Sequence, residues 1–182
     1  MNLANRLTVF RMILVPFFVL FILTDFTSYN ELIALVIFIV ATVTDKLDGT
    51  IAKRTGTVTN FGKFMDPMAD KLLVSSALIC LCSMGDIPSW AVLVIIAREF
   101  SISGIRQIAA DNSVAIAASG WGKAKTVAQM AMIIAMLISK AFPVLSLGIV
   151  PDVLMYIAVA LTVISLADYI VKNRKVITIG EM

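Results

Sequence analysis

Charge is scarce in this chain: only 15% of its 182 residues are Asp, Glu, Lys or Arg, while 60% are hydrophobic. Soluble domains carry about a quarter charged residues, so a water-soluble protein is excluded. Histidine is absent and cysteine occurs twice, which leaves polar chemistry to a few carboxylates and cations. Cys80 and Cys82 stand two apart in an apolar stretch and point to different sides of a helix, so they are expected as buried free thiols rather than a disulfide or metal site. No internal repeat, low-complexity segment or soluble second domain is visible, and residues 1–182 read as a single domain. The first apolar stretch contains Arg11 and Pro16 and lacks a small-residue cleavage site after it, so it is expected to be a membrane helix and not a cleaved signal.

Long apolar stretches fill the chain instead, with a mean hydropathy of +0.98. A bilayer-spanning helix needs roughly 20 predominantly apolar residues. Six stretches qualify, near Leu7–Leu23, Leu32–Asp48, Leu72–Met84, Trp90–Ala110, Thr126–Ile138 and Val153–Val171. The shorter ones, the third and fifth above all, are completed by polar residues that must face the bundle interior rather than lipid. The expected fold is an all-α integral membrane protein of six transmembrane helices. Ten methionines lie among Leu and Ile as packing residues, and Trp90 and Trp121 suit the membrane interfaces.

Basic residues favour cytoplasmic helix ends and loops. With a cytoplasmic N-terminus, Arg6, Arg11, Lys46, Lys53, Arg54, Lys63, Lys71, Arg98, Arg106, Lys123, Lys125, Lys172, Arg174 and Lys175 all fall on or near that side, and only Lys140 does not. Both termini are therefore expected in the cytoplasm. The net charge of +3 reads as topology with some attraction to anionic head groups, and nucleic acid is not an expected partner.

Against this background four aspartates stand close together, in Asp45-Lys-Leu-Asp48-Gly49-Thr-Ile-Ala52-Lys53 and Gly62-Lys-Phe-Met-Asp66-Pro-Met-Ala-Asp70. Near the middle of a membrane helix each ionised carboxylate costs about 2.5 to 3.5 kcal/mol on insertion scales. A bound divalent metal is the simplest reason to keep four. On a helix Asp45, Asp48, Gly49 and Ala52 share one face, two hard oxygen donors beside two small residues that let a ligand approach the backbone. Asp66 and Asp70 share another, with Asp66-Pro67 resembling a helix start. Lys53 to Gly62 reads as a short turn that folds the two pairs together. Such a set suits one or two ions of Mg²⁺ or Mn²⁺. Pairing with Lys46, Lys53, Arg54, Lys63 and Lys71 at a charged surface is the bland alternative; it accounts for the charge but not the spacing.

The same residues carry a resemblance. Asp45, Asp48, Gly49, Ala52, Gly62, Asp66 and Asp70 match, in register, the signature of the CDP-alcohol phosphotransferases, with Lys53 where that family usually has Arg; lysine keeps the charge without the bidentate fork. Asn5-Arg-Leu-Thr8-Val-Phe-Arg11 with Pro16, Arg98-Glu99-Phe-Ser-Ile-Ser103-Gly104-Ile-Arg106, Gly122-Lys123-Ala-Lys125-Thr126-Val-Ala-Gln129 and Asp168-Tyr-Ile-Val-Lys172-Asn173 resemble the bacterial branch that joins CDP-diacylglycerol to glycerol 3-phosphate.

The resemblance implies six helices around a cytoplasm-facing polar cavity, a homodimer in the bacterial plasma membrane, and two metal ions. It also implies roles: Asp45, Asp48, Asp66 and Asp70 as metal ligands; Asp70 as the general base; Asn5, Thr8, Gly49, Ala52 and Lys53 at CDP-diacylglycerol. The acceptor's phosphate calls for cations, and Arg98, Arg106, Lys123 and Lys125 are the candidates, with Arg106 first because guanidinium matches phosphate bidentately. Glu99, Ser103 and Arg106 form a polar stripe by their spacing. Each of these cations has an ordinary alternative as a topology charge or a partner of Glu99 or Asp111. Relatives using phosphatidylglycerol, serine or inositol phosphate share the aspartate motif. A divalent-cation transporter is the alternative from another class; against it, the aspartates cluster at helix ends, and the other face offers only isolated Asp25, Glu31, Asp86 and Asp152.

Overall fold

Polar breaks divide the apolar sequence into helices joined by short connections among the described residues. The computed structural model describes residues 3–55, 60–111, 119–145 and 147–178, without the side chains of 3–5, 45–55, 60–64, 66, 67, 70, 110–111 and 175–178. Its helices are α1 (Leu3–Leu23), α2 (Asn30–Thr55), α3 (Asn60–Ser83), α4 (Ser89–Asp111), α5 (Gly120–Ala141) and α6 (Val150–Thr178). No strand occurs among the described residues. All six expected helices are present, each longer than its apolar run, because a helix continues into polar sequence where backbone hydrogen bonds remain satisfied.

Lengths of 21 to 29 residues correspond to about 30 to 45 Å at 1.5 Å per residue. Among the described residues, three spans are long and apolar enough to cross a membrane: Arg6–Leu23, Gly120–Ala141 and Val150–Arg174. The apolar parts of α2 and α3 are shorter, Asn30–Thr44 and Lys71–Ser83, because the remaining turns of both helices carry the aspartate motif. The apolar sequence of α4 is interrupted by Arg98, Glu99 and Arg106. Bulky hydrocarbon faces outward along the whole chain: Ile13, Phe17, Leu93, Val127 and Val171 are 49–70% exposed. A water-soluble fold does not present such a surface, and a membrane protein does.

The chain forms two compact units, Met1–Asp86 with Ile133–Leu147, and Ile87–Met132 with Gly148–Met182. In the first, α1 packs on α2 and α3, and α2 on α3. The buried stripe of α1 is Thr8, Arg11, Val15, Phe18 and Ile22, alternating three- and four-residue steps along one face. Phe18 meets Phe38 with ring centroids 5.9 Å apart, and buried Ala34, Ala41, Ala69 and Ala77 allow close helix approach without side-chain bulk. In the second unit α4 packs on α6.

Local chemistry sets the helix ends. Asn30 Oδ1 accepts from the backbone N–H and the hydroxyl of Thr27, both at 3.0 Å, closing the entry to α2. Gly85, at φ +83°, ends α3: its N–H reaches the Cys82 carbonyl at 3.0 Å, and the Asp86 N–H reaches the Leu81 carbonyl at 2.9 Å. This paired closure needs a residue at ease in the left-handed region. Cys80 and Cys82 are free thiols as expected, but only Cys80 is buried and Cys82 is half-buried. Lys140, the one cation that did not fit the expected sidedness, pairs with Asp86 at 2.9 Å.

Candidate active site

The motif aspartates lie on two consecutive helices of the first unit. Asp45, Asp48, Gly49, Ala52 and Lys53 belong to α2, and Gly62, Asp66 and Asp70 belong to α3. Because α2 is helical throughout the motif, the spacings of three, four and seven residues do place Asp45, Asp48, Gly49 and Ala52 on one face. Asp66 and Asp70 share a face of α3 for the same reason.

Two local expectations require correction. The turn predicted over Lys53 to Gly62 does not hold at its two flanks, since Lys53–Thr55 continue α2 and Asn60–Gly62 already belong to α3; residues 56–59 lie outside the described residues. Asp66-Pro67 is not the start of α3, which begins at Asn60. Asparagine is among the residue types favoured at helix starts, and proline within a helix removes one hydrogen bond rather than dictating where the helix begins.

The corrected boundaries fix the position of each aspartate along its helix. Asp45 and Asp48 precede the end of α2 at Thr55 by ten and seven residues, and Asp66 and Asp70 follow the start of α3 at Asn60 by six and ten. At 1.5 Å per residue these are depths of about 15 and 10 Å on one helix and about 9 and 15 Å on the other, measured from the ends that the chain joins. Asp45 and Asp70, and likewise Asp48 and Asp66, thus lie at similar distances along their helices from the ends that the chain joins. Their side chains, with those of Asn5, Gly49, Ala52 and Lys53, lie outside the described residues. Thr8, from the same candidate set, is fully buried on α1. Among the described residues no group of three or more His, Cys, Asp or Glu is placed to hold a metal. A set of four carboxylates suits a hard divalent cation by its donor chemistry.

The candidate acceptor cations belong to the second unit, and they divide into two kinds. Arg98 and Lys125 are buried, 7% and 3% exposed, whereas Arg106 and Lys123 are exposed. Arg98 Nη1 donates to Glu99 Oε1 at 3.3 Å and Nη2 to Ser165 Oγ at 2.6 Å. Lys125 Nζ donates to the same Glu99 Oε1. One carboxylate oxygen on α4 thus holds a guanidinium from α4 beside an ammonium from α5, and α6 anchors the far end of the guanidinium. One helical turn further along α5, Gln129 Nε2 donates to Thr162 Oγ1 at 3.1 Å, and that hydroxyl donates to the Ala158 carbonyl at 2.6 Å.

Arg106 stands apart from this cluster, its guanidinium 5.7 Å from the ring centre of buried Tyr169. Ser103, the middle of the expected polar stripe, turns its hydroxyl back to the Glu99 carbonyl at 2.7 Å, a bond within its own helix. The pairing of Arg98 and Lys125 with Glu99 was the ordinary alternative for those cations, and it holds for these two. Sequence reasoning missed Ser165 and Thr162. A signal was present, since Thr162, Ser165 and Tyr169 recur at three- and four-residue steps in an otherwise apolar helix, the pattern of an inward polar face.

Comparison with known proteins adds three kinds of likeness. The CDP-alcohol phosphatidyltransferase family matches residues 1–164. A Bacillus subtilis protein named CDP-diacylglycerol–glycerol-3-phosphate 3-phosphatidyltransferase is 39% identical over 184 residues, covering 94% of this chain and 95% of its own. A Rickettsia bellii protein of the same name is 36% identical, covering 96% of each. A Mycobacterium tuberculosis protein named as a probable phosphatidylglycerophosphate synthase is 39% identical, covering 94% of this chain and 81% of its own.

Proposed function

This chain belongs to the CDP-alcohol phosphatidyltransferase family, and from that premise we propose that it transfers the phosphatidyl group of CDP-diacylglycerol to glycerol 3-phosphate, releasing CMP. The observation that carries the proposal is the chain's similarity over nearly its whole length to proteins named for that reaction; the helical spacing of Asp45, Asp48, Asp66 and Asp70 along α2 and α3 supports it.

In the proposed reaction the four aspartates would hold divalent metal, two ions of Mg²⁺ or Mn²⁺, which when bound would supply Lewis-acid polarisation of the pyrophosphate and offset charge on the leaving group. Asp70 accepts the proton of the acceptor hydroxyl as its oxygen bonds to the lipid-linked phosphorus, and the pyrophosphate bond to CMP breaks. Gly49 and Ala52 leave room for the nucleotide, with Asn5, Thr8 and Lys53 beside it. Arg98 and Lys125 bind the acceptor's phosphate, assisted by Arg106 and Lys123. Burial favours the first two, because a phosphate meets a fixed guanidinium with less ordering cost than a solvated one.

The proposed setting is a single membrane domain, acting as a homodimer in a bacterial plasma membrane, with a polar cavity, both termini and the aspartates facing the cytoplasm. The distribution of basic residues supports that orientation, and the pairing of Lys140 with Asp86 gives the exceptional lysine its own counter-charge.

The test is CMP release by purified protein in detergent with CDP-diacylglycerol, Mg²⁺ or Mn²⁺, and glycerol 3-phosphate, serine, inositol phosphate or phosphatidylglycerol in turn. Release requiring glycerol 3-phosphate and abolished by chelator is expected. Release with another acceptor keeps the chemistry and changes the substrate. No release with any acceptor, together with metal binding indifferent to nucleotide, favours a transporter.

A further inference from the structure

We propose that Glu99 and Ser165 are positioning residues that fix Arg98 and Lys125 in the geometry the acceptor's phosphate requires; this rests on the acceptor role proposed above for those two cations. The order of contacts carries the inference. Arg98 lies 7% exposed on a membrane helix, and two of its three nitrogens are committed: Nη1 to Glu99 and Nη2 to Ser165. The third, Nε, is buried without a partner. A buried donor left open costs stability unless something fills it.

The open nitrogen lies on the Nε–Nη2 edge of the guanidinium, the edge that offers a side-by-side pair of N–H groups to a phosphate. Ser165 takes one hydrogen of Nη2 and leaves the other. The chain passes the cluster at Gly122, where a side-chain carbon would lie 3.5 Å from Ser119 Oγ and 3.8 Å from both Arg98 Nη2 and Ser165 Oγ.

Glu99 explains why two cations stand together at all. Unshielded, an ammonium and a guanidinium side by side repel each other, the more so away from water. Glu99 Oε1 receives both, so the carboxylate sets their separation before any ligand arrives. Both side chains are long and rotamer-rich, and anchoring them in advance removes ordering cost from the binding step. A carboxylate fixed on the far side of both cations positions them. One that occupied the phosphate's own place would instead compete with it, and the two roles predict opposite effects.

The experiment is steady-state kinetics of the purified protein with inorganic phosphate as a competing probe. Glu99→Gln and Glu99→Ala are expected to raise KM for glycerol 3-phosphate, and the inhibition constant of phosphate, about 10- to 100-fold, the range for losing a hydrogen bond to a charged group. KM for CDP-diacylglycerol stays within about twofold, and Glu99→Asp restores part of the loss. Ser165→Ala, which removes only a hydroxyl, raises the acceptor KM about 2- to 10-fold and carries the test if the Glu99 variants do not fold. An acceptor KM unchanged in folded variants reduces Glu99 to a structural ion pair, and a lowered one makes it a competitor; either overturns the inference. Wild-type release that ignores glycerol 3-phosphate sinks the acceptor reading itself, whereas release that needs it, with KM unmoved by Glu99→Gln, sinks only the positioning role.

Discussion

The two units hold their polar residues on opposite plans. In the first, the four aspartates follow one another on two consecutive helices, α2 and α3, so the proposed metal site draws on neighbouring stretches of sequence. In the second, Arg98 and Ser165 are 67 positions apart, and the cluster exists only when α4, α5 and α6 have all packed. A set of carboxylates suits a site completed by a metal; opposite charges that already satisfy one another suit a site that must keep its shape before a ligand comes. Substitutions should therefore act differently in the two places, on turnover in the first and on acceptor affinity in the second.

The largest expected effect lies in the first unit. Asp70→Asn removes the proposed base and should lower kcat by about 10²- to 10⁴-fold, the usual contribution of a positioned proton acceptor, while CDP binding measured by titration persists. Unchanged turnover would move the base elsewhere. Next comes the buried guanidinium: Arg98→Met should raise the acceptor KM by 10-fold or more, by loss of about 1.5 to 3 kcal/mol of charged hydrogen bonding, with little change for the lipid donor. If kcat falls with KM unmoved, the distinction between the units fails at that residue. Exposed Arg106 should respond less. Arg106→Ala removes a cation–π contact of about 0.5 to 2 kcal/mol and is expected to raise the acceptor KM more than that for the lipid, but less than Arg98→Met does.

Packing and surface pairs give a second, smaller scale. Phe38→Ala opens a cavity against Phe18 and should cost stability toward the low end of the roughly 3 to 5 kcal/mol known for such truncations, because helices in lipid gain no hydrophobic energy from association. Thermal unfolding in detergent measures it, and the acceptor KM should not move. Lys140→Met breaks a half-exposed ion pair and is expected to change stability by about 1 kcal/mol or less. A shift of several kcal/mol would show that the Asp86–Lys140 pair is far less solvated than its exposure suggests.

Much of this was legible in the sequence for a physical reason. Helix count follows from apolar run length, since the bilayer demands it, and the aspartate faces follow from helical periodicity alone. The ends of α2 and α3 were not legible. Pro67 looks like a start signal, yet α3 already begins at Asn60, because proline forfeits one hydrogen bond while each added turn gains several. Ser165 and Thr162 escaped notice because a hydroxyl in an apolar helix commonly bonds its own backbone. Only packing against Arg98 and Gln129 distinguishes them. Arg106 looked the stronger phosphate ligand by residue type, and burial, which sequence does not display, turned attention to Arg98.

The outward hydrocarbon of Ile13, Phe17, Leu93, Val127 and Val171 has a consequence beyond anchoring. Those side chains form half of an interface whose other half is acyl chain, so the protein's fold is completed by molecules of the same kind as its proposed donor and product. Each turnover would exchange one lipid for another in the very medium that packs the helices. An enzyme of this type works inside its own inventory, and the acyl composition it helps to set is also the solvent in which its stability is defined.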